Sequence, residues 1–343
     1  MKKRDVFALV SVVFFVLFFS FNVSAKPIKL SMAFQDSVKS HGYTQALAPW
    51  VKQVEEATNG KVSIQVYASQ TLTKGKDTWN ALKSGIADLG WCFHGYWPGL
   101  TPMADVISLP ALPFKKAEKG SEVLWKLYDK FPSIQKEFSG NKVLLTYTSE
   151  PYMLITTKKW VKTLEDLKGL KIRMTGGPPT DMMKALGGVP ILIPMPDNYM
   201  SLQKGVIDGM GSPWEAMHAF RLYEAVKYYT QVPFPAVYFT ISMNKNKWNS
   251  LPKEVQDGFM SVSRLKGSKF WGHHFFDTAV EVVKNDAKQS GHPISFYSLP
   301  DEERAKWLEV GGKPIWEAWV KKMESQGKTD ARDILNEALE LLK

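Results

Sequence analysis

The sequence predicts an α/β protein built from two similar lobes, and three observations support this fold class. Strand-like and helix-like segments alternate through residues 29–93 and again through residues 170–210, as in an open α/β sheet. One seven-residue pattern occurs at the same place in both halves. The chain has 343 residues, which is too long for a single compact core, so two domains are expected.

The two halves contain the same order of elements. In the first half, strands are predicted at residues 29–34, 62–67 and 86–93, with helices at 44–57 and 77–83. The first of these helices ends at Asn59 and Gly60, which readily take the left-handed conformation that ends a helix. In the second half, strands are predicted at residues 170–174, 189–193 and 206–210, with helices at 179–186 and 198–204.

The repeated segment joins a helix to the next strand. Residues 82–88 read LKSGIAD and residues 202–208 read LQKGVID, so both match L-x-x-G-[IV]-x-D. We expect the leucine to pack the helix, the glycine to end it, the β-branched residue to begin the strand and the aspartate to hydrogen-bond the turn. The same corner in both halves favours two similar lobes.

The carboxyl-terminal third is predicted to be helical. Pro252 lies in the first turn of a helical pattern that continues to about Gln289. At about 1.5 Å per residue, such a helix is about 55 Å long and can brace both lobes. Gly258, Gly267 and Gly272 are the places where we expect it to bend. Residues 298–302 repeat the start signal and open the last helices.

The amino terminus predicts export. Residues 2–4 are basic, residues 6–21 are apolar apart from two serines, and residues 23–25 read Val-Ser-Ala, which suits signal peptidase. The apolar run has about 16 residues, whereas a membrane span needs about 20, so cleavage after Ala25 is favoured over an uncleaved anchor. Because the residue directly after this point is Lys26 rather than a cysteine, we predict a soluble periplasmic protein rather than a lipid-anchored one.

Composition and motifs argue against two other classes of protein. The formal charge is +10, but the lysines are spread along the chain without a basic block, which disfavours nucleic-acid binding. No G-x-S-x-G, H-E-x-x-H, P-loop or complete G-x-G-x-x-G motif is present, so we predict neither an enzyme nor a cofactor. His273 and His274 are adjacent on a predicted helix and point to different faces, so they are a poor metal pair.

A binding site is expected between the lobes. Ligands in open α/β sheets bind beyond the carboxyl ends of the strands, and two lobes that face each other place these ends around one cleft. Here the strand ends are residues 93–97 and 211–215. Seven aromatic residues cluster at predicted strand ends, namely Trp91, Phe93, Tyr96, Trp97, Tyr152, Trp214 and Tyr238. His94 is a further candidate donor, although a structural role for it is equally open.

Several segments resemble one family of binding proteins. Residues 55–62 (EEATNGKV), 82–90 (LKSGIADLG), 109–114 (LPALPF) and especially 164–173 (LEDLKGLKIR) are similar to motifs of the TRAP transporter periplasmic solute-binding proteins. TRAP denotes the tripartite ATP-independent periplasmic transporters, and the resemblance is to their C4-dicarboxylate-binding (DctP-type) family. It extends along nearly the whole chain after residue 25.

The resemblance implies a two-lobed periplasmic binding protein of the Venus flytrap kind, with a long helix spanning both lobes. We predict a signal peptide at residues 1–25. Lobe 1 is then residues 26–150, with about 238–270 returning to it, and lobe 2 is residues 151–237. Residues 271–343 are expected to pack across both lobes.

The resemblance also implies which residue holds the ligand. In the family, the arginine of the GlKiR motif holds the substrate's carboxylate, and here that residue is Arg173. A guanidinium offers two parallel donors to the two carboxylate oxygens. The competing interpretation is that Arg173 forms an ion pair with a nearby carboxylate such as Glu165.

The sequence departs from the family pattern at two places. Ser212 stands where many relatives have asparagine, and residues 151–154 lack the second arginine of many sugar-acid or dicarboxylate binders. Trp214 and Glu215 resemble the Trp-Glu pair of relatives that bind 2-oxo or 2-hydroxy monoacids, in some of which the glutamate contacts a metal ion. Metal binding at Glu215 is therefore one interpretation, and a hydrogen bond to a ligand or capping of the next helix is the other.

From these observations we predict a binding subunit that captures a small organic anion, a monoacid with an oxo, hydroxyl or aromatic body. A sulfonate could replace the carboxylate. The predicted binding residues are Arg173, Trp214, Ser212, Glu215, Tyr152, Phe93, His94 and Tyr238. The expected partners are the small and large membrane subunits of a TRAP transporter, and the protein itself is predicted to be monomeric. A sensory binding protein is the alternative, and an exported enzyme on the same fold is a remote one.

Overall fold

A computed structural model describes residues 26–343 of the chain, so the predicted signal peptide lies outside the described residues. Eleven strands form two sheets in this part of the chain. They are β1 (Ile28–Ala33), β2 (Val62–Tyr67), β3 (Leu89–Phe93), β4 (Lys142–Thr148), β5 (Met153–Thr156), β6 (Lys171–Met174), β7 (Val189–Leu192), β8 (Gly209–Ser212), β9 (Tyr228–Gln231), β10 (Tyr238–Met243) and β11 (Phe296–Ser298).

The sheet of lobe 1 has the strand order β2-β1-β3-β10-β4. β1 is parallel to both β2 and β3, while β10 is antiparallel to β3 and β4. The sheet of lobe 2 has the order β11-β9-β5-β8-β6-β7. There β6 is parallel to β7 and β8, and β5 is antiparallel to β8 and β9. The two-lobed α/β fold predicted from the sequence is confirmed.

Fifteen α-helices accompany these strands in the described residues. They are α1 (Ala48–Ala57), α2 (Thr78–Lys83), α3 (Ala117–Lys130), α4 (Pro132–Glu137), α5 (Leu164–Leu167), α6 (Pro178–Ala185), α7 (Asn198–Gln203), α8 (Trp214–Ala219), α9 (Lys245–Ser250), α10 (Lys253–Ser261), α11 (Arg264–Trp271), α12 (Ala279–Gln289), α13 (Asp301–Gly311), α14 (Lys313–Ser325) and α15 (Ala331–Leu341). No helix within residues 26–343 has the length and apolar character needed to cross a membrane.

The repeated corner has the same structure in both lobes. Gly85 and Gly205 have φ angles of 75° and 67°, as predicted for residues that end a helix. The β-branched residues that follow do not begin the strands: β3 starts only at Leu89 and β8 at Gly209, and the predicted strand starts were wrong. These residues, Ile86 and Val206, are exposed and lie in the turn where the chain reverses direction before the strand begins.

The aspartate of each corner ties two neighbouring strands together. Asp88 Oδ2 accepts a hydrogen bond from the Ser31 backbone N–H at 2.8 Å, and Asp208 Oδ2 accepts one from the Lys171 backbone N–H at 3.0 Å. Ser31 belongs to β1 and Lys171 begins β6, so each carboxylate reaches the adjacent parallel strand. This contact explains the same aspartate in both halves better than the predicted bond within the turn.

The long helix is shorter than predicted but does contact both lobes. The helical pattern is interrupted at Val262 and Ser263, and Arg264 has a φ of 50°. From there one continuous helix runs to Gln289 through α11, a π-helical segment at Gly272–Asp277 and α12. α11 packs against α3 and β4 of lobe 1, and α12 packs against α8 of lobe 2.

The glycines of this region do not mark the interruption. At Gly272, an added Cβ would lie 2.3 Å from the Ser121 Oγ and 2.7 Å from the Ala117 carbonyl oxygen. Gly272 therefore allows close approach of the long helix to α3. Close packing is one reason for glycine at this position, and the bend expected here stays a prediction.

Candidate ligand-binding site between the lobes

The carboxyl ends of strands from both sheets meet at one cavity between the lobes. Asp36 follows β1 and Phe93 ends β3 in lobe 1, while Met195 follows β7 and Glu215 follows β8 in lobe 2. Tyr152 lies just before β5 and also lines the cavity. This is the place that the rule for open α/β sheets predicts for a ligand.

Aromatic rings form most of the wall of the cavity. The Phe239 ring lies 4.8 Å from the Phe93 ring at an interplanar angle of 26°, and 5.0 Å from the Trp91 ring. Phe275 and Phe276, from the π-helical segment of the long helix, continue this wall. Such a surface favours a flat apolar body over a strongly hydrated one.

Arg173 is a buried cation beside this cavity. It lies on β6, and only 1% of its surface is exposed. Its Nε donates a hydrogen bond to the Ile193 carbonyl oxygen at 3.0 Å, whereas Nη1 is buried and has no partner in the described part of the chain. Burial raises the pKa of the Tyr152 hydroxyl, and the nearby charge of Arg173 opposes this rise, so the guanidinium faces a residue that lines the cavity.

The competing interpretation of Arg173 does not hold. Glu165 pairs with Lys168, whose Nζ lies 2.7 Å from its Oε1. Within residues 26–343, no carboxylate lies within 4.0 Å of the Arg173 guanidinium. A buried charge without an ion pair is costly, and an anionic ligand would remove this cost.

Three buried carboxyl groups lie around the same region. Asp36 and Glu215 line the cavity, and Glu150 lies in the segment that joins β4 to β5. Burial raises the pKa of Asp36 to about 7 and that of Glu150 to about 8. Burial also raises the pKa of Glu215 well above its usual value, and the neighbouring Asp36 raises it further.

Hydrogen bonds between the lobes hold the cleft closed. The Gly42 N–H of lobe 1 donates to Glu215 Oε1 of lobe 2 at 3.2 Å. The Met195 N–H of lobe 2 donates to the Tyr96 hydroxyl of lobe 1 at 2.9 Å. Such contacts must break for a ligand to enter, so closure and binding are coupled.

Three of the eight predicted binding residues, Tyr152, Phe93 and Glu215, line this cavity, and a fourth, Arg173, lies near Tyr152. The structure places Trp214 and Ser212 elsewhere. The Trp214 ring packs against Phe296, with centroids 5.2 Å apart, in the hydrophobic core of lobe 2. The Ser212 hydroxyl donates to the Pro213 carbonyl oxygen at 3.0 Å and is fully buried.

His94 and Tyr238 belong to the interior of lobe 1. Their rings stack 5.3 Å apart at an angle of 6°. His94 Nε2 contacts the Thr240 hydroxyl at 3.1 Å, and the Tyr238 hydroxyl donates to Asp105 at 2.9 Å. Burial lowers the pKa of His94 to about 3, so this histidine is a neutral structural residue. The structural interpretation, left open by the sequence, is the one that fits.

The predicted metal contact at Glu215 gains no support from geometry. Among the described residues, Glu215 belongs to no group of three or more His, Cys, Asp or Glu side chains close enough to share an ion. Such a group does occur at Glu118, His273 and Asp277, on the surface between α3 and the long helix. Asp277 already accepts hydrogen bonds from the Ala117 and Glu118 backbone N–H groups, and therefore acts as a cap of α3.

Sequence reasoning missed Asp36, Phe275 and Phe276. Asp36 follows β1, so the rule that selected the end of β3 could have selected it too. Phe275 and Phe276 have no comparable signal, because they reach the cavity only through the packing of a distant helix.

The buried Glu150 predicts a dependence of stability on pH. Its pKa is raised on folding, so the folded state keeps a proton that the unfolded state has lost, and stability falls as pH rises from about 4.5 toward 8. Glu150→Gln is expected to flatten this fall by up to about 1.4 kcal/mol per pH unit. Urea unfolding at pH 5 to 8 measures how the free energy of unfolding changes with pH.

Glu165→Gln is the control for this experiment, because Glu165 has a side chain that is 76% exposed. It is expected to leave the slope unchanged. An equal slope in wild type and Glu150→Gln would show that Glu150 does not carry a proton in the folded state.

A two-lobed fold with a buried arginine beside a closed interlobe cavity defines a solute-binding protein for an anion. Residues 35–327 match the family described as "Bacterial extracellular solute-binding protein, family 7" (DctP). This match extends over most of the chain, and the protein belongs to that family. The resemblance noted in the sequence to TRAP solute-binding proteins is confirmed.

Three relatives illustrate the similarity. A TRAP solute-binding protein from a marine metagenome, solved with 3-hydroxybenzoate, is 27% identical with a TM-score of 0.86, over 93% of this chain and 98% of that one. A second, from Rhodoferax ferrireducens with copurified benzoate, is 25% identical with a TM-score of 0.85, over 92% and 97%. The C4-dicarboxylate-binding periplasmic protein DctP of Rhodobacter capsulatus is 26% identical over 90% of this chain and 92% of its own length.

Proposed function

We propose that the protein captures a small aromatic monocarboxylate between its lobes and delivers it to the membrane subunits of a TRAP transporter. The observation that carries this proposal is Arg173, a buried guanidinium with an unpartnered Nη1 next to an aromatic cavity. Because Nε is already bonded to Ile193, the two Nη groups remain for the two oxygens of a carboxylate.

The lining of the cavity supports a monoacid. The side chains that line it include no lysine or arginine, and its charged members are Asp36 and Glu215. A second carboxylate on the ligand would face these two acids without a cation to bind it. This agrees with the missing second arginine in residues 151–154 and disfavours a dicarboxylate.

The rings of the cavity and the ligands of relatives support an aromatic body. Phe93, Phe239 and Trp91 present ring faces and edges against which a benzene ring can pack. The two solved relatives named above hold benzoate and 3-hydroxybenzoate.

Binding and transport follow from the two-lobed architecture. The ligand's carboxylate binds Arg173 in lobe 2, its ring contacts Phe93 and Phe239 in lobe 1, and the bridged lobes close. The closed form is the one that membrane subunits would recognise. We place the protein in the periplasm as a binding protein rather than an enzyme, in line with its family and predicted signal peptide.

A thermal-shift screen tests the ligand class. Benzoate and its hydroxylated derivatives are expected to raise the unfolding temperature, since a ligand at a hundredfold excess over Kd adds about 2.7 kcal/mol. Succinate and malate serve as the dicarboxylate comparison and are expected to have no effect. Stabilisation by the dicarboxylates alone would overturn the proposal. Uptake of the labelled ligand by cells with and without the gene separates transport from a sensory role.

Removal of one ring should weaken binding of every aromatic acid. Phe93→Ala is expected to lower the affinity for benzoate about tenfold, or about 1.4 kcal/mol, because a ring-to-ring contact is lost from a buried cavity. Calorimetry measures the affinity. Phe131→Ala, a half-buried ring of lobe 1 that is not part of the cavity wall, is the control. Unchanged affinity in Phe93→Ala would remove this ring from the site.

A further inference from the structure

Two carboxyl groups from opposite lobes face the same cavity. Asp36 lies beyond the carboxyl end of β1 in lobe 1, and Glu215 lies in the first turn of α8 in lobe 2. Each is only 3% exposed, and both line the cavity. The sequence drew attention to Glu215 alone, and only the closed fold sets Asp36 opposite it.

Neither carboxyl group is saturated by the protein. Asp36 Oδ1 accepts a long hydrogen bond of 3.4 Å from the Gln35 side chain, and Glu215 Oε1 accepts one of 3.2 Å from the Gly42 N–H. Within residues 26–343, the second oxygen of each group has no hydrogen-bond donor and neither group has an ion-pair partner. The second oxygen of each group is therefore available for a hydrogen bond with a polar group of a ligand.

Arg173 and Asp36 both lie near the hydroxyl of Tyr96. The Tyr96 hydroxyl is close enough to both Arg173 and Asp36 for their charges to act on its pKa in opposite directions, against the larger rise to about 12 caused by burial. This hydroxyl donates to Gln35 Oε1 at 2.8 Å, next to Asp36. A ligand that contacts both Arg173 and the two carboxyl groups therefore needs an anionic group at one end and a hydrogen-bond donor at the other.

We propose that Asp36 and Glu215 together bind a hydrogen-bond-donating substituent, a hydroxyl or amino group, on the ring of the acid whose carboxylate Arg173 holds. The inference rests on the proposed function and narrows its ligand class from aromatic acids to ring-hydroxylated or ring-aminated ones. Because the two acids come from different lobes, the substituent also bridges the closed cleft. Acids without a donor leave both carboxyl groups unpartnered, and such sites discriminate strongly against the analogue that lacks the donor.

The test compares ligands that differ in one group. Calorimetry on the wild-type protein is done with benzoate, 3- and 4-hydroxybenzoate, 3- and 4-aminobenzoate and the methoxybenzoates. At least one hydroxyl or amino isomer is expected to bind tenfold or more tightly than benzoate. Its methoxy counterpart, which accepts but does not donate, is expected to lose this advantage. Equal affinities for benzoate and all donor-bearing acids would overturn the inference while the proposed function stands.

Variants assign the preference to the two residues. In Asp36→Asn and Glu215→Gln, the ratio of the affinities for the best donor-bearing acid and for benzoate, both measured on the same variant, is expected to fall to threefold or less. The unfolding temperature of each variant shows whether it is folded. Asp105→Asn is the matched control, because Asp105 is a buried carboxyl of lobe 1 outside this cavity. Retention of the full preference in both variants would overturn the inference.

Two further outcomes separate the explanations. If chelation with EDTA abolishes the preference in the wild-type protein, the pair holds a metal ion rather than a ligand group, and the inference is wrong. If no aromatic acid of the series binds, the proposed function and the inference fall together. The inference is supported only if three results occur together: a donor-bearing acid binds more tightly than benzoate, its methoxy counterpart does not, and both variants lose the preference.

Discussion

Arg173→Ala is expected to lower the affinity for the ligand by a factor of roughly 30 to several thousand. Removing one partner of a buried, hydrogen-bonded charge pair costs about 2–5 kcal/mol. The cost arises because the carboxylate would then enter a closed cavity that is lined by two acids, Asp36 and Glu215, and by no cation. Calorimetry with the best ligand of the screen measures the loss. Arg173→Lys keeps the charge without the two-pronged donor geometry, so we expect an intermediate loss.

The stability of the ligand-free protein is the second measurement on Arg173→Ala. The guanidinium has no ion pair within the described residues, and Nη1 has no hydrogen-bond partner. We therefore expect the variant to unfold at the same temperature as the wild type or higher. Arg221→Ala is the control, because Arg221 lies on the surface of lobe 2 and pairs with Glu224. A loss of affinity below tenfold in Arg173→Ala would show that this arginine does not hold the ligand.

Trp271→Ala is expected to destabilise the protein by about 3–5 kcal/mol, as is typical when a fully buried tryptophan is truncated. No part of the Trp271 side chain is exposed. Its ring lies 5.2 Å from Tyr147, 6.0 Å from Trp50 and 5.8 Å from Phe275. The same contacts hold the long helix on lobe 1. Because Phe275 lines the cavity, we also expect weaker ligand binding.

Urea unfolding measures the effect of Trp271→Ala, and Trp271→Phe should restore part of the stability by refilling the space with a ring. Trp160→Ala is the control, since Trp160 is only partly buried, near the edge of lobe 2 beside Tyr228. A loss below about 1.5 kcal/mol in Trp271→Ala would mean that the neighbouring rings collapse into the space without cost.

Local patterns in the sequence predicted most of the elements and the central residue of the site. Gly85 and Gly205 end their helices as expected, because a left-handed φ is a property of the local backbone. Arg173 was recognised as the candidate ligand-binding residue because the short motif that contains it resembles the GlKiR motif of the family. Errors occurred at the ends of elements, as at Ile86 and Val206, which precede the strands that they were expected to begin.

The predicted binding residues show that a local sequence pattern does not determine which way a side chain points in the folded protein. His94 and Tyr238 stand at strand ends near the cleft, yet their rings point into lobe 1, where they stack on each other. Trp214 directly precedes Glu215 in the first turn of α8, yet its ring packs against Phe296, whereas Glu215 lines the cavity. The sequence does not reveal which of the two residues lines the cavity.

The sequence by itself determined the α/β class, the two-lobed organisation and the arginine beside the cleft, because alternation, helix-ending glycines and a strand motif are all encoded over a few residues. Only the tertiary structure decided that Asp36 lies opposite Glu215 and that Phe275 and Phe276 line the wall. These residues are distant in the chain and meet only when two sheets and a long helix close around one cavity. The proposed partner of the ligand's carboxylate, Arg173, is therefore recognisable in the sequence, whereas the proposed partners of the rest of the ligand depend on how the lobes pack.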